Sequence, residues 1–168
     1  MNHKKYLVSD ASSLILLTRS RIIEHLLKSN SIMIPSQVYK EGVEKGKEKG
    51  HEDAYQIEKY IANGNICVEN PNKKLINRIE DMFHIDAGER DTIALAVEHN
   101  LPVICDDRKG RNACKVLQLN YLTALNILSI LYSKKRISKK VAIESLDKLK
   151  KYGWYKLELI EYIMDKIK

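Results

Sequence analysis

The stretch Asp86–Asp107, "DAGERDTIALAVEHNLPVICDD", decides the fold. Residues 86–100 carry apolar side chains at helical spacing and close on Asn100, a residue that tolerates the left-handed turn ending many helices. Leu101–Asp107 then forms an apolar run that stops at two adjacent aspartates, the form of a short buried strand. "RKGRNACKVLQL", from Arg108 onward, returns to helical patterning. Helix, buried strand and helix in that order require a parallel sheet covered on both faces.

The same alternation extends in both directions. "KYLV" is a first strand ending at Asp10, and "SIMIP" and "NICVEN" are a second and third. Between the first two, "LILLTRSRIIEHLLKSN" reads as one helix with Leu16, Ile22, Ile23, Leu26 and Leu27 as its seam. Ser36 is the expected N-cap of a helix over "QVYKEGVEKG", and "EKGKEKGHED" reads as a helix end or loop. "AYQIEKYIANG" is a helix closed by Gly64, "NKKLINRIEDMF" another, and "NYLTA" a weaker fifth strand. The remainder, from Leu125, is helical. The expected fold is a three-layer α/β/α architecture with a central parallel sheet, followed by C-terminal helices.

Length and composition bound the function. The chain has 168 residues, 44% hydrophobic and 30% charged, the profile of one globular domain. No run is long and apolar enough for a membrane span, and "MNHKKYLVSDASS" lacks a signal-peptide pattern, so the cytoplasm is the expected location and no membrane partner is expected. Three cysteines in apolar contexts read as reduced core thiols, and five scattered histidines match no zinc spacing. Of the net charge of +7, residues 134–168 supply most, with eleven Lys/Arg against five Asp/Glu. That balance suits a polyanionic partner, though it also describes an ordinary solvated lysine-rich face.

In open α/β sheets ligands bind at the carboxyl ends of the strands. Asp10 follows the first strand, Asp106 and Asp107 the fourth, and Glu41 lies early in the helix after the second. Asp86, Glu89 and Asp91 open the helix before the fourth strand. Each has an ordinary reading: Asp10 as an N-cap, Asp86 and Glu89 as a capping box, Glu41 and Asp91 as surface acids. Together they place several carboxylates along one sheet edge, where like charges raise one another's pKa unless a cation is present. Mg²⁺ or Mn²⁺ takes oxygen ligands, keeps its waters, and lowers the pKa of a bound water near a phosphodiester. Arg90, Arg108, Lys109 and Arg111 stand beside these acids as candidate phosphate contacts.

"LVSDASSLILL", "IPSQVYKEGVEKG", "DAGERDTIALAVEHNLPVICDDRKGRNAC" and "LTALNILSILYSKKRIS" resemble, in order and spacing, the PIN-domain ribonucleases, with the prokaryotic VapC-like toxins as the nearest group. The resemblance covers residues 5–136, which it marks as a nuclease domain over 1–136 with a helical extension over 137–168 packed on it. It implies four catalytic acids, Asp10, Glu41, Glu89 and Asp107. Asp10, Asp107, Asp106 and Glu89 are the implied metal ligands, Asp107 being a closer match than Asp106. Ser12 and Asp91 are implied supporting residues. The segment departs from the family at Leu122, where Gly often stands, and at Glu89, where Asp is commoner.

These residues lead us to expect metal-dependent hydrolysis of RNA that leaves a 5′-phosphate and a 3′-hydroxyl. The resemblance further implies a homodimer and an antitoxin partner. The competing reading is a PIN-like module that binds RNA or protein with little catalysis, although all four acidic places are filled. The lack of a glycine-rich first turn argues against a dinucleotide-binding domain, and Ser12 where a second Asp is wanted argues against an aspartyl phosphatase. The apolar seams of the last two helices (Leu146, Leu149, Trp154, Leu157, Ile160 and Ile163) suit either this domain's own core or a partner helix in a groove.

Overall fold

The computed structural model describes residues 3–168. Five strands, β1 (Lys5–Ser9), β2 (Asn30–Ile34), β3 (Ile66–Val68), β4 (Val103–Ile104) and β5 (Tyr121–Leu122), pair in parallel in the order β3-β2-β1-β4-β5. The chain steps outward from β1 to β3, then returns to the other side of β1 for β4 and β5. The strand order therefore reverses between β1 and β4, and the crevice at such a point is where open α/β sheets place ligands.

Strand side chains alternate between two cores, as the pleat requires. Leu7, Ile32, Ile34, Ile66 and Ile104 enter the larger core, under α1 (Ala11–Arg19), α2 (Ile22–Leu26), α5 (Glu52–Ala62) and α9 (Ala124–Ser133). Val8, Met33, Val103 and Cys105 enter the smaller one, under α6 (Lys73–Met82), α7 (Ala87–His99) and α8 (Arg108–Val116). A sheet sandwiched in this way is the three-layer fold expected from the sequence.

Three local features differ from expectation. The single helix expected over Leu14–Asn30 is broken, because Arg21 takes a left-handed φ of 63°. No Gly or Pro marks the break. The Thr18 and Ser20 hydroxyls instead donate to the carbonyls of Leu14 and Leu17 and compete with the helix ladder. The turn lets Leu16, Ile22, Ile23, Leu26 and Leu27 all stay buried. Ser36 does not cap the next helix; Pro35 occupies that position, and the Ser36 N–H donates to Asn70 Oδ1 at 2.9 Å. Helix α3 (Ser36–Tyr39) widens into a π-helical turn, Lys40–Glu44, before α4 (Lys45–Glu48), so most of the charged glycine-rich run is helical.

The C-terminal helices α10 (Lys139–Tyr152) and α11 (Leu157–Ile167) bury Leu146, Leu149, Ile160 and Ile163 in the larger core. The Tyr132 hydroxyl also donates to the Ile167 carbonyl at 3.0 Å. Trp154 and Leu157, from the same expected seam, are exposed. Cys67, Cys105 and Cys114 are free thiols. Among the described residues no helix is long and apolar enough to cross a membrane.

Candidate active site

Asp10 sits where β1 passes into α1, and it is both a helix cap and something more. Its Oδ1 accepts from the Ser13 N–H at 2.8 Å and from the Ser12 hydroxyl at 3.3 Å. Its Oδ2 is buried with no hydrogen-bond partner. The residue is only 2% exposed, and burial pushes its pKa up against the pull of the Ser13 hydrogen bonds. A cap needs one oxygen; the Ser13 hydroxyl and the weakly donating Cys105 thiol also lie against this buried carboxylate.

The two aspartates after β4 part company. Asp107 caps α8, its Oδ1 accepting from the N–H groups of Lys109 at 2.9 Å and Gly110 at 3.3 Å. Asp106 turns toward the C-terminal helices. Its carboxylate accepts from the Ala124 N–H at the start of α9, at 3.2 and 3.3 Å, and from the Tyr155 hydroxyl. Tyr155 lies in the joint between α10 and α11, and its own pKa is raised, first by burial and then by Asp106. Asp106, the weaker match of the two expected metal ligands, is occupied by protein donors.

Helix α7 brings the third acid. Asp86 stands at the N-cap but makes no side-chain cap bond, so the expected capping box does not form. Glu89 turns inward, and burial, then the neighbouring carboxylates of Asp107 and Asp10, push it up to about 8. For Asp107 burial acts upward, but the hydrogen bonds from Glu89 and from the first N–H groups of α8 outweigh it and hold it low. The two neighbouring carboxyls are thus shifted in opposite directions, Glu89 upward and Asp107 downward.

Glu41 reaches the same helix end from the π turn. Its Oε1 accepts from Gln37 Nε2 at 2.8 Å, and a Cβ on Gly88 would lie 2.6 Å from its Oε2. Gly88 therefore gives Glu41 its place beside the α7 N-terminus. π-helical turns recur at functional sites, and here the turn carries an acid.

Asp91 is not gathered with these groups. It accepts from Arg90 Nε at 2.8 Å, and the same guanidinium reaches Glu80 at 3.0 Å. Arg90, expected beside phosphate, is engaged in joining α6 to α7. Arg108, Lys109 and Arg111 take part in no ion pair among the described residues, and the Arg111 Nε is buried without a partner.

A cleft of about 800 Å³ runs from Ser12, Asp106 and Asp107 past Arg108 and Arg111 to Trp154 and Tyr155. Sequence reading missed this far wall. Its only signal was "YGWY" at Tyr152–Tyr155, the chain's sole tryptophan set between two aromatic neighbours at a helix joint. A second groove, about 690 Å³, lies at the opposite strand ends beside Lys4, Lys5, Lys28 and Arg136, away from the acids.

The acids fit a hard divalent cation in their chemistry. All the donors are carboxylate oxygens, one of them buried without a partner, and burial and the neighbouring carboxylates push Glu89 up to about 8. Among the described residues no three His, Cys, Asp or Glu side chains already enclose a metal position. Magnesium-type ions need only one or two carboxylates because they keep several waters.

Comparison with known proteins agrees with the fold. A family described as "DUF3368: PIN domain" matches residues 6–168, the C-terminal helices included. Eleven chains of solved structures match. One is the crystal structure of PAE2754 from Pyrobaculum aerophilum, 18% identical, with a TM-score of 0.56 over 77% of this chain and 98% of that one. No curated protein matches.

Proposed function

Since the chain belongs to the PIN-domain family, whose general activity is that of a nuclease, we propose that it is a Mg²⁺- or Mn²⁺-dependent endoribonuclease. The observation that carries this reading is the unpartnered, buried Oδ2 of Asp10 beside a Glu89 pushed up to about 8. Such an arrangement is unfavourable for the protein alone and is relieved by a cation.

When bound, the ion supplies positive charge for the phosphodiester and an activated water at neutral pH. Asp10 and Asp107 hold it, with Ser12 and the Ser13 N–H fixing the Asp10 carboxylate. Glu89, pushed up to about 8 beside Asp107, would be the acid placed to hold or release a proton next to the ion. Glu41, fixed by Gln37, completes the acidic wall from the α7 side. Arg108, Lys109 and Arg111 hold the flanking phosphates. Asp106 and Asp91 act through the protein and not on the ion.

We read residues 1–136 as the nuclease domain and 137–168 as its extension. The resemblance to VapC-like toxins supports a cytoplasmic role in a toxin–antitoxin pair, with a homodimer as the working form.

The test is incubation of the protein with a panel of single-stranded and structured RNAs, with Mg²⁺, with Mn²⁺ and with chelator. Products with 5′-phosphate and 3′-hydroxyl ends are expected only with metal. Cleavage that persists in chelator or in Asp10→Asn protein rejects the proposal. RNA binding without cleavage under every metal condition marks a binding module.

A further inference from the structure

Trp154 is the most exposed large apolar side chain among the described residues, yet the loop that carries it is firmly held. Gly153 donates its N–H to the Leu149 carbonyl at 2.8 Å. A Cβ at Gly153 would lie 2.5 Å from the Tyr155 ring, so glycine is what lets that ring fold back against the end of α10. The Tyr155 hydroxyl is then tied to Asp106 at the end of β4. The Trp154 ring therefore faces water from a loop anchored on either side of it, without a contact of its own among the described residues.

Trp154 lines the same cleft as Asp107, Arg108 and Arg111. One cleft thus combines acids, cations that are unpaired among the described residues, and an exposed aromatic side chain. A single nucleic-acid strand presents the matching groups: a reacting phosphate, a neighbouring phosphate and an unstacked base. Grooves that bind single strands combine cations along the backbone with aromatic faces for the bases. A duplex offers its phosphates but keeps its bases stacked inside.

Building on the nuclease reading above, we propose that Trp154 is a base-stacking platform that selects single-stranded RNA, and that Asp106 is the latch which positions it through Tyr155. The C-terminal extension thereby supplies one wall of the substrate groove. Arg108 and Arg111 hold the phosphates between the stacked base and the acids. Asp106 is a positioning residue here, since it touches the loop and not the substrate.

The sole tryptophan makes a direct test. The full chain is titrated, in chelator and at low salt, with RNA single strands of roughly ten nucleotides. The expected result is quenching of the Trp154 fluorescence, and none with an RNA duplex of equal length. Binding is measured separately by anisotropy of a labelled strand. Trp154→Ala is expected to weaken it roughly ten- to hundred-fold, and Trp154→Phe to restore most of it. Because the side chain packs against nothing, both variants are expected to melt like the wild type.

Single strands that bind without quenching, or equally well to Trp154→Ala, overturn the inference. So does a fluorescence change that follows protein concentration without RNA, which assigns the loop to a second copy of the chain. The two readings fail separately. Equal cleavage by wild type and Trp154→Ala removes the platform and keeps the nuclease. Trp154-dependent binding with no cleavage in Mg²⁺ or Mn²⁺ does the reverse.

Discussion

The hydroxyl of Tyr155, from the joint between α10 and α11, donates to the carboxylate of Asp106 at the carboxyl end of β4. This bond connects the C-terminal helices to the strand end that carries the acidic site. It also gives two adjacent aspartates different partners, because the Asp107 carboxylate accepts from the backbone N–H groups of Lys109 and Gly110.

Replacing the two aspartates is therefore expected to give different defects. Asp107→Asn removes a carboxylate from the ion's side of the cleft, and metal-dependent cleavage falls by about 100-fold or more. Asp106→Asn leaves the oxygen that accepts from Ala124 and Tyr155. It is expected to retain cleavage within about ten-fold of wild type and to lose roughly 1 kcal/mol of stability as a charged acceptor becomes neutral. Cleavage rates at saturating Mg²⁺, set against urea unfolding of each variant, separate the two. Equal loss of cleavage at both positions would contradict the division.

Glu89 predicts the pH dependence of the protein without metal. Its carboxyl has an ordinary value of 4.5 and is held at about 8 in the fold. Between those values the folded chain keeps a proton that the unfolded chain releases, so stability falls as pH rises through this window. Asp10, also raised, acts in the same direction. Asp107 is lowered, and its contribution is lost only in acid, as pH drops through its depressed value. Thermal melting in chelator between about pH 5 and 9 is expected to slope downward, and Glu89→Gln is expected to flatten it. Added Mg²⁺ is expected to stabilise more at the alkaline end, because its binding displaces the Glu89 proton. A profile in Glu89→Gln as steep as the wild type assigns the slope elsewhere.

Gly88 offers a test of Glu41 that leaves the acid itself in place. A methyl group there would stand 2.6 Å from Glu41 Oε2 and force that carboxylate aside. Alanine in a helix otherwise gains up to about 1 kcal/mol over glycine. Gly88→Ala is thus expected to melt no lower than about 1 kcal/mol below the wild type while cleavage falls at least about ten-fold. Cleavage at the wild-type rate would place Glu41 outside the working site.

These outcomes bear on what could be read from the residues alone. Short apolar runs such as Leu7–Val8, Ile32–Ile34 and Val103–Ile104 made the central strands legible, because burial on both faces leaves no polar alternation, whereas the half-buried Tyr121–Leu122 gave a weaker signal. Asp10 and Asp107 were legible as residues just past a buried run, a position that also suits the helix caps they form. The break at Arg21 was not, since it depends on hydroxyls of Thr18 and Ser20 that also fit a continuous helix. The π turn at Glu41 was hidden too, as it adds one residue to a helix without changing its composition. Tyr155 escaped notice because a tyrosine 49 residues beyond Asp106 reaches it only once α10 and α11 have packed.

The basic residues divide just as the acids do, and salt dependence is the way to see it. Arg108 and Arg111 line the cleft without ion-pair partners among the described residues, whereas Arg90 bridges Asp91 and Glu80. A side chain that contacts phosphate releases counterions, so its removal lowers the slope of log affinity against log salt by about 0.7 to 0.9. Arg108→Ala and Arg111→Ala are each expected to weaken RNA binding and lower the slope by that amount. Arg90→Ala is expected to leave slope and affinity unchanged and to destabilise α6 against α7 by at most about 1 kcal/mol, as partly exposed ion pairs do. A slope change on removing Arg90 would mean that its bridge opens to RNA. No change on removing Arg108 and Arg111 would mean that the strand takes a path other than the cleft between Asp107 and Trp154.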